Sequence, residues 1–193
     1  YINKHSQLVF GYDMAQRGYK ILKQWRWQDL FSRDFQCIKN IHDTVVHKVY
    51  PARNLAKSIV PETTLYWLVH PWLDKECSKL EASGYMSEIV AWIGEDTNRK
   101  KEWRELNRQA GIERWDLLKQ QDKDLFDQKG WTKRFKAAGI GGIRGWDHSN
   151  EPGSPKCLHL HYAHYLSNQT KENCNLIGKQ IHFKLLELHK SEC

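Results

Sequence analysis

Apolar positions change period several times along this chain, and the changes mark its elements. From Asp13 to Leu30 apolar residues recur at helical spacing, interrupted by Gly18, so a helix is expected there. From Arg33 the character changes. FQCIKNI and TVVHKVY are short and β-branched, with a break around residues 40–43, so they predict a hairpin with strands at about 34–39 and 44–49. Pro51 ends the second strand, and residues 51–62 read as a loop. TLYWLVH predicts a third strand at 64–70, stopped by Pro71.

Helical spacing then takes over. Pro71 suits the first turn of a helix whose face carries Leu73, Cys77 and Leu80, and Gly84 fits the position just past its end. MSEIVAWIG at 86–94 predicts a second helix. Residues 95–136 hold 12 basic and 9 acidic side chains, punctuated by Trp103, Leu106, Trp115, Leu118 and Phe126. That pattern predicts solvated helices with one apolar stripe. A Gly/Pro/Ser-rich loop spans 139–155, without the Gly-Lys-Ser/Thr ending of a phosphate-binding loop. Two helices close the chain, at about 156–166 and 175–189, the latter with Ile177, Ile181, Leu185 and Leu188 at helical spacing. The expected fold is α+β: a small antiparallel sheet packed against several helices, predominantly helical. Residues 1–32 read as an N-terminal extension. Residues 33–193 read as a single domain that carries the charged helical insertion at about 95–136.

Composition narrows the class. A chain of 193 residues with 40% hydrophobic residues and mixed charge is a globular domain that can bury a core without staples. No apolar run reaches the roughly 18 residues of a membrane span. The net charge of +7 permits an acidic partner or nucleic acid but specifies neither. Trp25–Trp27 and the 100–108 segment are weak nucleic-acid candidates, because acidic residues dilute the second. Five cysteines, an odd number without framework spacing, argue against a secreted disulfide scaffold. Nine tryptophans exceed what one small core is expected to absorb, so burial of several against other protein subunits is expected. The chain begins at Tyr1, not Met. A removed targeting peptide is one reading of that, and it would place the protein in an organelle such as the mitochondrion.

Candidate chemistry concentrates in CLHLHYAH, 157–164. On a helix Cys157, His161 and His164 fall at i, i+4 and i+7, within an arc of about 60°, while His159 points away. Thiolate and imidazole are ligands that zinc prefers. The same pair of groups could serve as a Cys–His nucleophile, or the cysteine could be a small core residue with histidines bonded to carbonyls.

TLYWLVHPWLDKECSKLEASGYM, GIGG, KCLHLHYAH and NCNLIG, in that order, resemble the bacterial domain-of-unknown-function family 501. The resemblance is good over 63–93 and 139–182 and weaker over 33–60. It implies that Cys37 opens a short hairpin and that His70 stands where the family usually has cysteine. It also implies that Cys157, His159 and His164 form the helix motif, with His161 at a more variable place. Asn175 and Gly178 match an Asn-Pro-Val-Gly stretch in which Leu176 replaces proline, while Asn40 and Asp43 stand where the hairpin's Gly and Pro would be. The family brings no established reaction. Histidine and cysteine are both ligands for soft or borderline metals, so a swap at 70 is compatible with coordination. The metal ligand set to which the resemblance points is Cys37, His70, Cys157, His161 and His164, with zinc as the cofactor. Three functions compete: a non-enzymatic accessory subunit of a larger assembly, a zinc domain with hydrolase-like activity, and a nucleic-acid-binding protein.

Overall fold

The structure is a computed structural model, and it describes residues 14–31, 35, 44–56, 58–140, 157–169 and 174–190. Strands β1 (Ile21–Arg26), β2 (Thr44–Val49) and β5 (Tyr66–Leu68) form a three-stranded antiparallel sheet in the order β1-β2-β5. Strands β3 (Ala52–Leu55) and β4 (Ser58–Pro61) form a separate hairpin. A one-turn helix α1 (Trp27–Leu30) follows β1. The helices α2 (Pro71–Ala82), α3 (Tyr85–Gly94), α4 (Thr97–Leu117), α5 (Gln120–Gln128), α6 (Thr132–Ala137), α7 (Leu158–Ser167) and α8 (Leu176–His189) supply the rest. The fold is α+β and predominantly helical, as the patterning predicts.

Three local expectations need correction. The helix expected over 13–30 is instead a helical turn at 14–16, a strand and the short α1. Gly18 turns the chain with φ 79°, and a Cβ there would stand 1.8 Å from the Asn54 carbonyl oxygen. Beyond it, backbone pairing with β2 and the packing of Trp25 against Tyr66 outweigh the helical spacing. The partner expected for β2 at 34–39 lies outside the described residues except for Phe35, whose φ of 55° is not a strand value. The loop expected at 51–62 contains the β3–β4 hairpin.

Other local signals hold. Pro71 opens α2, His70 accepts from Leu73 N at its N-cap, and Gly84 follows the helix with φ 86°. The core centres on α7, which packs against β5, α8 and α2. Leu158, Tyr162, Ala163, Ile177, Ile181 and Leu185 are all fully buried. Two glycines permit close approach. A Cβ on Gly178 would stand 2.3 Å from the Tyr165 Cβ and 2.4 Å from the His161 carbonyl, so α7 and α8 touch backbone to backbone there. A Cβ on Gly139 would strike Asn107, whose Oδ1 accepts from Ile140 N. Arg114, buried in α4, donates to the carbonyls of Thr63, Phe135, Ala138 and Gly139, joining α4 to the end of α6.

The tryptophans are absorbed more fully than their number suggests. Among the eight that are described, Trp103 is fully buried and the other seven are half-buried. Trp27 alone meets Phe31, Phe35, His70 and Trp72 with ring centroids 4.5 to 6.3 Å apart. Aromatic clusters within the chain thus bury part of this ring surface, and seven of the eight described tryptophans keep a partly exposed edge. No helix among the described residues is long and apolar enough to cross a membrane.

Candidate metal centre

The start of α7 lies against the last turns of α2. Cys157 precedes the helix with extended backbone, φ −158° and ψ 154°, and its side chain makes no cap. Glu81 of α2 does the capping instead: its Oε1 accepts from Leu158 N at 2.6 Å. A carboxylate at this end also suits the helix dipole.

His159 follows. Its Nε2 is 3.0 Å from the carbonyl oxygen of Asp74 and 3.3 Å from Ser78 Oγ. A carbonyl only accepts, so Nε2 carries the proton. In the neutral ring Nδ1 is then a lone pair, and it sits 3.2 Å from Glu81 Oε1, a second acceptor. Two acceptors at that separation need something positive between them. One solution is a second proton: the hydrogen bond with Cys157 raises His159 to about 9 against the opposing effect of burial, with help from the Asp74 carbonyl and the Glu81 and Asp74 charges. The other is a metal cation. Glu81, Cys157 and His159 bring their ligand atoms within 4.8 Å of one another. Two ligands bound at about 2.0 Å in a tetrahedral site lie about 3.3 Å apart, close to the Glu81–His159 spacing. The Asp74 carbonyl holds His159 as a ligating histidine is usually held, by its other ring nitrogen.

The remaining residues singled out in the sequence are distributed differently. Cys37 lies outside the described residues. His70 caps α2 and meets Trp27 at a tilt, with ring centroids 4.7 Å apart. His161 is fully buried: its Nδ1 accepts from Asn175 Nδ2 at 3.2 Å, and its ring meets Trp103 at 5.2 Å. Burial, then the charge of His164, pushes His161 down to about 3 despite the Asn175 bond, so it is neutral. His164 faces the sheet, edge-on to Tyr66 at 5.1 Å. Cys157 is not on the helical arc expected to join it to His161 and His164, because the helix begins only at Leu158. His159 does lie off that arc, as expected, and Cys157 accompanies it. Glu81 is absent from the sequence-derived set. The sequence does place Glu81 in the last turn of a helix that Pro71 and Gly84 delimit, but it carries no signal that pairs this residue with Cys157 and His159.

A second polar crevice lies between α4, α7 and the sheet. Glu113 Oε1 accepts from Lys48 Nζ at 2.7 Å and from Tyr66 Oη at 2.6 Å. Burial would raise the Glu113 carboxyl, but these bonds and the Lys48 charge lower it. Burial and Glu113 push the Tyr66 hydroxyl up. The cavity beside them, of about 20 Å³, has room for about one water.

Residues 37–182 match the family described as "Protein of unknown function (DUF501)". The chain belongs to this family. No curated protein and no solved structure matches it. The DUF501 signature residues divide by role. Gly139, Asn175 and Gly178 serve packing and capping, while Cys157 and His159 stand next to Glu81. β1 begins before the matched region, yet is hydrogen-bonded into the same sheet as β2.

Proposed function

We propose that this DUF501 domain binds a zinc-class cation through Glu81, Cys157 and His159, joining α2 to the start of α7. The observation that carries this reading is the 3.2 Å approach of His159 Nδ1 to Glu81 Oε1 while Nε2 is committed to the Asp74 carbonyl. Thiolate, imidazole and carboxylate form a ligand set suited to zinc. The test is metal analysis of freshly purified protein beside Glu81→Gln, Cys157→Ser and His159→Asn. Stoichiometric zinc lost in each variant supports the reading, and metal-free protein that takes up no added zinc overturns it.

An accessory-subunit role in a larger assembly, organellar or otherwise, is the second reading. Phe183 and Leu188 of α8 favour it, being 52% and 50% exposed. A single monomer peak for the protein in native extract would count against it. Nucleic-acid binding has less support. Arg108 pairs with Glu105 on the exposed face of α4, and Arg114 is buried among carbonyls.

A further inference from the structure

Arg114 of α4 is 1% exposed, and its two terminal nitrogens donate to the carbonyls of Thr63, Phe135, Ala138 and Gly139. Its Nε is buried and meets no acceptor among the described residues. A buried donor without an acceptor is costly, and native proteins satisfy nearly all such groups with a protein partner or an ordered water. Arg114 lines the cavity of about 20 Å³ beside the sheet, and so does Glu113. Oε1 of Glu113 is committed to Lys48 and Tyr66, while Oε2 makes no bond among the described residues. Thr63, Thr64 and His164 add polar groups to the wall. The cavity therefore combines space for one water-sized group with more than two polar partners, the two requirements of an internal hydration site.

We propose that this cavity binds one neutral hydroxyl oxygen, which accepts from Arg114 Nε and donates to Glu113 Oε2. Charge selects the class. A cation would sit against the guanidinium and an anion against the carboxylate, whereas a hydroxyl both accepts and donates. The occupant links the Lys48–Glu113–Tyr66 cluster to the carbonyl-bound Arg114. One connected polar network then ties α4 to β2, to β5 and to the end of α6. The hydroxyl has two sources. One is solvent water. The other is a small alcohol or polyol entering by the neighbouring cleft of about 310 Å³, which shares Ala110, Glu113 and His164 with the cavity. Leu106, Ile112, Gln109 and Asn168 give that cleft both apolar and amide walls. The site shares no residue with Glu81, Cys157 and His159, so it stands or falls independently of the metal reading.

Crystals of the wild-type chain, grown without alcohols and then soaked in glycerol, test the site and separate the sources. The expected result is density for a single oxygen at about 2.7–3.2 Å from both Arg114 Nε and Glu113 Oε2. The same oxygen in both crystals assigns the site to water. Density that grows into glycerol along the cleft assigns it to an organic hydroxyl. Either outcome supports the proposal. No density in the cavity overturns it, as does an oxygen out of reach of Arg114 Nε or Glu113 Oε2. A peak with the scattering strength of chloride or a metal overturns the neutral class. In solution, the Arg114 Nε–H of isotope-labelled protein should show an Overhauser cross-peak to water or to glycerol, and a cross-peak to neither overturns the site.

Discussion

Asn175 binds His161 through its side-chain amide nitrogen, Nδ2 to Nδ1 at 3.2 Å, while its carbonyl oxygen accepts from Gly178 N at 3.0 Å. One side chain thus caps α8 and fixes the tautomer of a buried imidazole on α7. Asn175→Ala should cost about 1.5–5 kcal/mol, the sum of a lost cap and a stranded buried acceptor. Urea unfolding measures it, and a loss below about 0.5 kcal/mol would contradict this account.

Gly178 and Gly94 make a matched pair. Alanine at 178 meets the Tyr165 Cβ and the His161 carbonyl, neither of which is the far end of a flexible side chain, so α7 and α8 must separate. The expected loss is about 1–3 kcal/mol or more. Alanine at 94, at the end of α3, meets no heavy atom within 4 Å. That substitution should be neutral or stabilising by up to about 1 kcal/mol. Thermal unfolding of the two variants should move in opposite directions or differ by several degrees.

His159 and His164 separate the metal reading from the helical-arc expectation. His159→Ala should weaken zinc binding by more than about 100-fold, since even outer partners of metal ligands are worth 10–100-fold. His164→Ala should leave zinc affinity unchanged, because its ring packs on Tyr66 away from the centre. Competition with a chromogenic chelator reads both. The reverse ranking would restore the arc.

His47 should make stability depend on pH. The ring is 4% exposed, and burial lowers its pKa below the ordinary value of 6.5. Its Nε2 accepts from Gln24 Nε2 at 3.1 Å, a bond that protonation removes. A group with a depressed folded pKa contributes stability that is fully present above its unfolded pKa. That contribution is lost as pH falls through the folded pKa. Between about pH 8 and pH 5 the wild type should lose more stability than His47→Gln, by up to about 1.4 kcal/mol per unit of depression. Parallel slopes in urea titrations at the two pH values would show that His47 contributes nothing.

The sequence alone determined the elements whose signals are local. Pro71 and Gly84 bracket α2 because each residue sets its own backbone torsions. The 3.6-residue spacing of Ile177, Ile181 and Leu185 marks the buried face of α8. The motifs around 64–86, 139–142, 156–164 and 173–178 pointed to the family that the chain belongs to. Tertiary structure decided what depends on distant partners. Residues 21–26 have helical spacing, but β2 offers them a ladder, and backbone pairing prevails. In the candidate centre, α7 begins one residue after Cys157. On a helix that residue would face His161, whereas in extended chain it sits beside His159. Glu81, 77 residues earlier in the chain, holds the helix start at Leu158 through a single bond. No local pattern in the 157–164 stretch encodes that bond, because its acceptor belongs to another helix.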